Sequence, residues 1–207
     1  LTNKIRRSYV TDPLWTPDAQ RIKTANVMPF MAKINSDWGT TLTTTDDLSD
    51  FSITEMEKFW RSLVEFANLN GQSWAGPELV DKHKLPGAKW FPEARFNYAE
   101  NLLKRRDDAD AFVFWGEDKV KRRMSFKTLY DQVSSVALGL IKLGVGEGDK
   151  VAGYLPNLPE TIIAMLAASS VGAVWSSCSP DFGVQGVLDR FSQIEPKLLI
   201  TVDGYCY

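Results

Sequence analysis

The densest group of reactive side chains is Ser176-Ser177-Cys178-Ser179-Pro180-Asp181-Phe182-Gly183. Three hydroxyls, a thiol and a carboxylate follow an apolar run that reads as a strand and precede a run with helical spacing. In an open α/β sheet ligands bind beyond the carboxyl ends of the strands, so this handover lies where a ligand would be met. The hydroxyls can hydrogen-bond a polar ligand, and a helix start at Gly183 can receive an anion. The same residues also have a plainer use, because Ser179 and Asp181 can simply cap and turn the chain. The residues alone leave both uses open. Cys178 makes a poor nucleophile, since no base partner can be named for it. Pro156-Asn157-Leu158-Pro159-Glu160 follows an earlier strand in the same sense and supplies a second loop on the same edge.

Other candidates are weaker. Gly144-Val145-Gly146-Glu147-Gly148-Asp149 has the outline of a dinucleotide fingerprint, but it follows a helix and precedes a strand. That is the reverse of a phosphate loop, and the stretch reads as a helix end with a tight turn. Lys119, Lys121, Arg122 and Arg123 read as a solvated hairpin tip, with a phosphate contact as the alternative. His83, the single histidine, stands between two lysines in a loop and makes no metal site. Zinc spacings, a Walker loop and a G-x-S-x-G nucleophile elbow are missing from the sequence.

The elements that must position these residues fall into two parts. Up to about residue 104 single aromatics (Trp15, Trp38, Trp60, Trp74, Trp90) are separated by turn formers such as Asp12-Pro13, Gly76-Pro77 and Pro86-Gly87, as in an irregular segment wrapped over a larger body. Three helices are predicted within it. The first spans 17–35, capped by Thr16 and bent or split by Pro29. The second spans 54–70, capped by Ser52 or Thr54 and stopped by Gly71, with Trp60 and Phe59 buried. The third spans 98–105. Thr40 to Thr45 reads as an edge strand or loop, and the charge run Lys104 to Asp110 as a solvated linker. From there the pattern becomes regular. Ala111 to Trp115 is an apolar strand, turned at 116–118, and Lys121 to Ser125 can return antiparallel. Ser125 caps a helix over 126–143, ended by Gly144. Strands at 150–155, 173–178 and 197–202 then alternate with helices at 159–171 and 183–194, the last capped by Asp181. This order predicts an α/β fold with a buried parallel sheet covered by helices on both faces. The last strand has no helix after it, as in the amino-terminal piece of a longer chain, the alternative being a complete small domain of four parallel strands.

Composition narrows the function classes. The chain has 207 residues, 24 basic and 26 acidic, for a formal net charge of −2. General nucleic-acid binding therefore loses its simplest support. Two cysteines cannot build a multi-bridge framework. The longest apolar stretch, Thr161 to Trp175, is interrupted by Ser169, Ser170 and Gly172 and is too short to span a bilayer. A cytoplasmic protein with no membrane insertion is expected.

Four stretches carry a family resemblance: FWRSLVEF (Phe59 to Phe66), WFPEARFNYAENLL (Trp90 to Leu103), YLPNLPETIIAMLAASSVGAVWSSCSPDFG (Tyr154 to Gly183) and VLDRFSQIEPKLLITVDGY (Val187 to Tyr205). Together they resemble the start of an acyl-CoA synthetase of the adenylate-forming superfamily, in particular the acetoacetyl-CoA synthetases. The most discriminating is SSCSPDFG, because acetyl-CoA synthetases carry a histidine where Trp175 stands and a glycine-rich stretch after it. The resemblance implies that residues 1–104 are the amino-terminal wrapping segment of such an enzyme and 105–207 an incomplete α/β portion of its AMP-binding domain. It implies a longer enzyme that joins acetoacetate, ATP and coenzyme A through an acyl-adenylate, with Mg2+ assisting. The phosphate loop, ribose-binding aspartate and adenylation lysine of the family are expected further along, so no catalytic residue is expected within these residues. The rest of the same polypeptide is expected to pack on this part. Another short-chain acid as substrate, or a non-catalytic α/β interaction module, are the alternatives.

The resemblance assigns few residues. Ser177, Ser179, Asp181 and Phe182 are expected on the wall of the acyl–pantetheine side of the site. The family's W-F-x-G-G-x-L-N pattern, near the nucleotide end of coenzyme A in acetyl-CoA synthetase, matches Trp90 to Asn97. Phe91 is thereby a candidate to stack on that nucleotide and Arg95 to reach a phosphate. The paired glycines of the pattern are here Glu93 and Ala94. Relatives also carry arginine where Asp131 and Ser135 stand on the long helix, so positive charge expected near a coenzyme A phosphate is missing there.

Overall fold

A computed structural model describes residues 14–117 and 119–205. The Asp12-Pro13 turn and Cys206 lie outside the described residues, as does Asp118 of the expected 116–118 turn. The described chain forms two compact units, one of residues 14–69 with Gly76–Pro92, the other of Asn70–Ala75 with residues 93–205.

In the first unit the expected helix over 17–35 is two helices, α1 (Ala19–Thr24) and α2 (Val27–Trp38). The cap of α1 is Asp18 rather than Thr16, its carboxylate accepting from the Arg21 N–H at 2.7 Å. The chain turns extended at Ala25, and Pro29 falls in the first turn of α2. A first-turn residue has no intrahelical partner for an N–H, so this proline opens a helix instead of bending one. Thr40 to Thr45 contains no strand. Thr44 caps α3 (Thr45–Thr54) through a capping box in which Asp47 accepts from the Thr44 N–H at 2.9 Å and donates its own N–H to the Thr44 hydroxyl at 3.1 Å. Ser52 and Thr54 therefore lie inside α3, and the next helix, α4, is Met56–Phe66. Asn68, at φ 48, ends α4 in place of Gly71: its N–H reaches the Glu65 carbonyl at 3.0 Å and the Leu69 N–H the Val64 carbonyl at 3.1 Å, the paired bonds of a Schellman end. Phe30, Ile34 and Phe51 form the core, with Leu42, Leu48, Phe59 and Leu63 packed on it. Trp60, expected to be buried, is 39% exposed. Its ring meets Phe59 and Trp90 at 5.6 and 5.4 Å instead of entering the core. A short ladder of β1 (Leu79–Val80) and β2 (Lys89–Trp90) completes the unit.

The second unit begins with α5 (Tyr98–Leu102), one turn shorter than predicted. Asn97 caps it and also donates to the Ser169 carbonyl at 2.9 Å. The charge run before the next strand is more than a linker. Arg105 pairs with Asp107 at 2.9 Å, and Arg105 and Arg106 lie over the rings of Phe126 and Tyr130 at 4.2 and 3.7 Å. β3 (Asp110–Gly116) and β4 (Val120–Ser125) form an antiparallel hairpin, as the return strand predicted. It is a sheet of its own, so the parallel sheet has three strands among the described residues. Ser125 caps α6 (Phe126–Lys142), its hydroxyl accepting from the Thr128 N–H at 3.2 Å.

β5 (Lys150–Tyr154), α7 (Pro159–Ser170), β6 (Val174–Cys178), α8 (Val184–Phe191) and β7 (Leu198–Thr201) follow in the predicted alternation. The parallel order is β6-β5-β7. Because side chains alternate along a strand, Val151, Trp175, Leu198 and Ile200 share one face and pack with Leu129, Val133 and Leu140 of α6 and the inner side of α7. Ala152, Tyr154 and Cys178 take the other face with Phe191 and Val187 of α8. Helices thus cover both faces, as predicted. Burial is uneven, however: β5 is buried, whereas Val174 on β6 and Leu199 on β7 are 55% and 51% exposed. The 144–149 stretch is a helix end with a tight turn, as expected. Gly144 is left-handed at φ 80, Asp149 accepts from the Gly146 N–H at 2.9 Å, and Lys197 Nζ bridges Asp149 and the Gly144 carbonyl at 2.8 and 2.6 Å. The lysine ammonium, foremost, holds the Asp149 carboxyl below the usual range.

Candidate functional site

Ser177 lies next to the last residue of β6, and the β6–α8 loop that follows brings Ser179, Asp181 and Phe182 to the carboxyl end of the sheet. Ser179 donates its hydroxyl proton to Asp181 Oδ2 at 2.7 Å and accepts the Asp181 N–H at 3.3 Å. The Phe182 N–H closes the turn on the Ser179 carbonyl at 3.2 Å. Asp181 therefore does not cap α8. Gly183 occupies the cap position with no side-chain bond, and the Asp181 carboxylate faces back into its own loop, where Tyr205 also donates to it at 3.4 Å. With its proton committed, Ser179 offers a ligand only lone pairs. Ser177 is exposed on the opposite strand face from buried Cys178. Burial pushes the Cys178 thiol up, against a smaller opposing pull from Arg190, so this sulfur is not a ready thiolate.

Three residues that sequence reasoning missed build this loop. Tyr154, at the end of β5, directs its single hydroxyl proton between the carbonyls of Pro180 and Phe182, at 2.8 and 3.0 Å. A phenol at the end of a buried strand needs a partner nearby, and that need was a usable signal. Arg190 of α8 lays its guanidinium over the Phe182 ring at 3.9 Å, and Tyr205 reaches Asp181. No local spacing announces these two contacts.

The second loop on this edge is stiffened by Thr161, whose hydroxyl donates to the Pro156 carbonyl at 2.7 Å. Glu160 does more than favour the start of α7: both of its carboxylate oxygens accept from one nitrogen, Nη2 of Arg122, at 2.8 Å. Arg123 pairs with Asp110, and Lys121 lies over the Trp115 ring at 4.4 Å, so these two hairpin cations, like Arg122, have protein partners. Between hairpin and loop lies a cleft of about 420 Å³ lined by Phe114, Trp115, Arg122, Asn157 and Tyr205 among others. A groove of about 620 Å³ between α6 and α7 is lined by Asp131, Gln132, Ser135, Glu160 and Ile163 among others, with no lysine or arginine. Ser135 donates to the Asp131 carbonyl within the helix at 3.0 Å.

Phe91 and Arg95 fall in different compact units. Phe91 is half-buried and left-handed at φ 41, its N–H on the Glu78 carbonyl at 2.8 Å. Arg95 is exposed and forms an antiparallel bridge with Gln72. Among the described residues no cluster of His, Cys, Asp or Glu could hold a metal ion, and no helix is long and apolar enough to cross a membrane.

Comparison with known proteins follows the same lines. The acetoacetyl-coenzyme A synthetase of Rhizobium meliloti is 46% identical over 195 residues, which is 94% of this chain and 30% of that protein. The acetoacetyl-CoA synthetase of Rattus norvegicus is 39% identical over 94% of the chain and 29% of its own length. The solved acetoacetyl-CoA synthetase of Streptomyces lividans superposes with a TM-score of 0.88 at 41% identity, covering 95% of this chain and 31% of that one. The chain thus spans about three-tenths of the length of the curated relatives it matches. The family model for AMP-binding enzymes matches residues 99–206, which take in the hairpin, the parallel sheet and both loops at its carboxyl edge. The chain belongs to the AMP-binding enzyme family.

Proposed function

We propose that this chain is the amino-terminal part of a cytoplasmic, ATP-dependent acetoacetate–CoA ligase, with residues 1–104 as its amino-terminal segment and 105–207 as the opening portion of its AMP-binding domain. The observation that carries the reading is similarity to acetoacetyl-CoA synthetases over 94–95% of the chain, in sequence and in fold. In the reaction the acetoacetate carboxylate attacks the α-phosphorus of ATP and expels pyrophosphate. The thiol of coenzyme A then attacks the acyl carbon and expels AMP, and its proton passes to solvent or a base. Adenylation converts a poor leaving group into a good one.

The residues of this chain hold and shape; they do not transfer protons. Ser177, Ser179, Asp181 and Phe182 wall the acyl–pantetheine side, supported by their position at the carboxyl edge of β6. The Ser179–Asp181 pair and Tyr154 keep that loop in one conformation. Phe91 and Arg95 serve the nucleotide end of coenzyme A. Asp131 and Ser135 bring no positive charge to the groove they line, so Arg95 or a residue outside this chain meets the phosphate. Among the described residues no cluster of His, Cys, Asp or Glu could hold Mg2+, so in this reading the ion that assists the full-length enzyme is held elsewhere. A second reading has one specific support: a malonamoyl-CoA synthetase of Penicillium aethiopicum is 35% identical over 94% of the chain, so a different short acid is compatible with this scaffold.

Acid-dependent ATP–pyrophosphate exchange tests both readings. The full-length enzyme should exchange with acetoacetate, and the isolated 207-residue chain should not. Exchange by the homogeneous chain would overturn the placement of the adenylating groups outside it. Full-length exchange with malonamate but not acetoacetate would favour the second reading.

A further inference from the structure

Arg61 on α4 engages a carboxylate, a backbone carbonyl and an aromatic ring at once. Its side chain is 19% exposed. Nε donates to Glu78 Oε1 at 2.7 Å, Nη2 reaches the Gly76 carbonyl at 3.4 Å, and the guanidinium lies 5.3 Å from the centre of the Phe91 ring. Phe91 in turn hangs from the same glutamate residue, through the bond from its N–H to the Glu78 carbonyl at 2.8 Å. Glu78 thus holds the arginine with its carboxylate and the phenylalanine with its backbone.

The conformation of Phe91 gives this contact weight. At φ 41 it sits in the left-handed region, which a bulky side chain adopts only where its surroundings impose it. The strand β2 ends at Trp90, so Phe91 is the residue at which the chain leaves the β1–β2 ladder. The carbonyl of Glu78 fixes its backbone, and the Arg61 guanidinium lies over its ring. An arginine fits this task where a lysine does not, because one planar group can bond a carboxylate edge-on while stacking on an aromatic ring.

We propose that Arg61, locked by Glu78, is a positioning residue that fixes the Phe91 ring for the nucleotide end of coenzyme A. This rests on the reading of Phe91 given above. The role belongs to the thioester-forming half of the reaction. Arg61 touches Phe91 and needs no contact with substrate, so the adenylation half should not feel its loss.

The experiment compares the full-length wild type with Arg61→Ala, Arg61→Lys, Glu78→Gln and Phe91→Ala, and with the Arg61→Ala/Phe91→Ala double variant. Acetoacetate-dependent ATP–pyrophosphate exchange is measured without coenzyme A, and thioester formation with it. Arg61→Ala should raise the KM for coenzyme A by about tenfold, the scale of a lost cation–π contact with its anchoring bonds. Exchange should stay within about twofold of wild type. Arg61→Lys should behave like Arg61→Ala, Glu78→Gln should show the same selective rise, and the double variant should be no worse than Phe91→Ala. Retained function in Arg61→Lys, with a KM that climbs as salt is added, would mean a direct phosphate contact and overturn the positioning role. So would an unchanged KM in Arg61→Ala beside a raised one in Phe91→Ala. Equal losses in both assays with a lowered Tm in both Arg61→Ala and Glu78→Gln would show a purely structural clamp and refute the proposal. An unchanged KM in Phe91→Ala would instead sink the reading of Phe91 on which the proposal rests.

Discussion

Replacing Gly153 by alanine should destabilise the second unit through a single methyl group. Gly153 is buried on β5, the central strand, bonded in register to Ser177 on one side and Ile200 on the other. A Cβ built there would stand 2.5 and 2.6 Å from two carbons of the Trp175 ring and 3.3 Å from a Leu155 methyl. Normal carbon contact is about 3.5–4.0 Å, so the ring must withdraw by about 1 Å. The backbone cannot yield instead, since both neighbouring strands hold it. Overpacking of this kind costs about 1–3 kcal/mol, while the stiffer unfolded chain returns about 0.4–1 kcal/mol. A net loss of about 1–2 kcal/mol lowers Tm by roughly 2–8 °C for a chain of this size. Thermal and urea melts followed by circular dichroism would read it. Trp175→Leu in both backgrounds isolates the cause, because the smaller side chain should remove the penalty and make the two changes non-additive by about 1 kcal/mol or more. An unchanged or raised Tm for Gly153→Ala, or additive behaviour with Trp175→Leu, would refute the packing argument.

Three further outcomes are expected. Thr44→Ala should cost about 0.5–2 kcal/mol by opening the capping box of α3. Hydrogen bonds from Thr43 and Thr44 hold the Asp47 carboxyl at about 2, below its ordinary 3.8, so its stabilising effect is complete above the ordinary value and is lost as pH falls from there through about 2. A melt series from pH 5 to 2 should show Asp47→Asn lacking that part of the acid sensitivity, and parallel curves for variant and wild type would contradict it. Phe182→Ala in the full-length enzyme should shift the kcat/KM ratio between acetoacetate and a plain short acid by about 1–3 kcal/mol while leaving the KM for ATP unchanged. Equal losses for all acids together with a lowered Tm would mean that Phe182 serves only packing.

What could be read from the sequence was what local physics decides. Leu129, Val133 and Leu140 repeat at helical spacing and do form the buried side of α6, and Ser125 caps it. The short apolar runs of β5, β6 and β7 between helical stretches could only be parallel strands. The first unit was harder because its signals compete. Ser52 and Thr54 are good caps, but Thr44 with Asp47 makes a reciprocal pair, and that pair starts the helix earlier. Trp60 follows the apolar spacing of α4, yet the core of Phe30, Ile34 and Phe51 is filled by Phe59 and Leu63, leaving the indole at the edge. At the candidate site the loop could be located but not its internal bonds. Ser179 and Asp181 lie two residues apart and could cap a helix or each other, and only the position of Tyr154 and Tyr205 decides. Contacts such as Arg190 on Phe182 and Arg61 on Phe91 depend on where two elements meet, which no periodicity encodes.

The order β6-β5-β7 also sets a timetable. Lys150 pairs with Val174 and Val151 with Leu198, so the central strand takes one neighbour from twenty-four positions later and the other from forty-seven. The hairpin closes over far less chain, Gly116 meeting Val120 at its tip. At a synthesis rate of roughly 5–20 residues per second, Val151 waits about 2–9 s before Leu198 has even been made. During that time the most buried strand of the sheet has one edge unsatisfied, a state prone to pairing with other chains. Closing the longer loop last also follows from its entropy, so in refolding the hairpin amides should gain protection from hydrogen exchange before those that join β5 to β7. Simultaneous protection of both sets would show instead that the sheet assembles in one step.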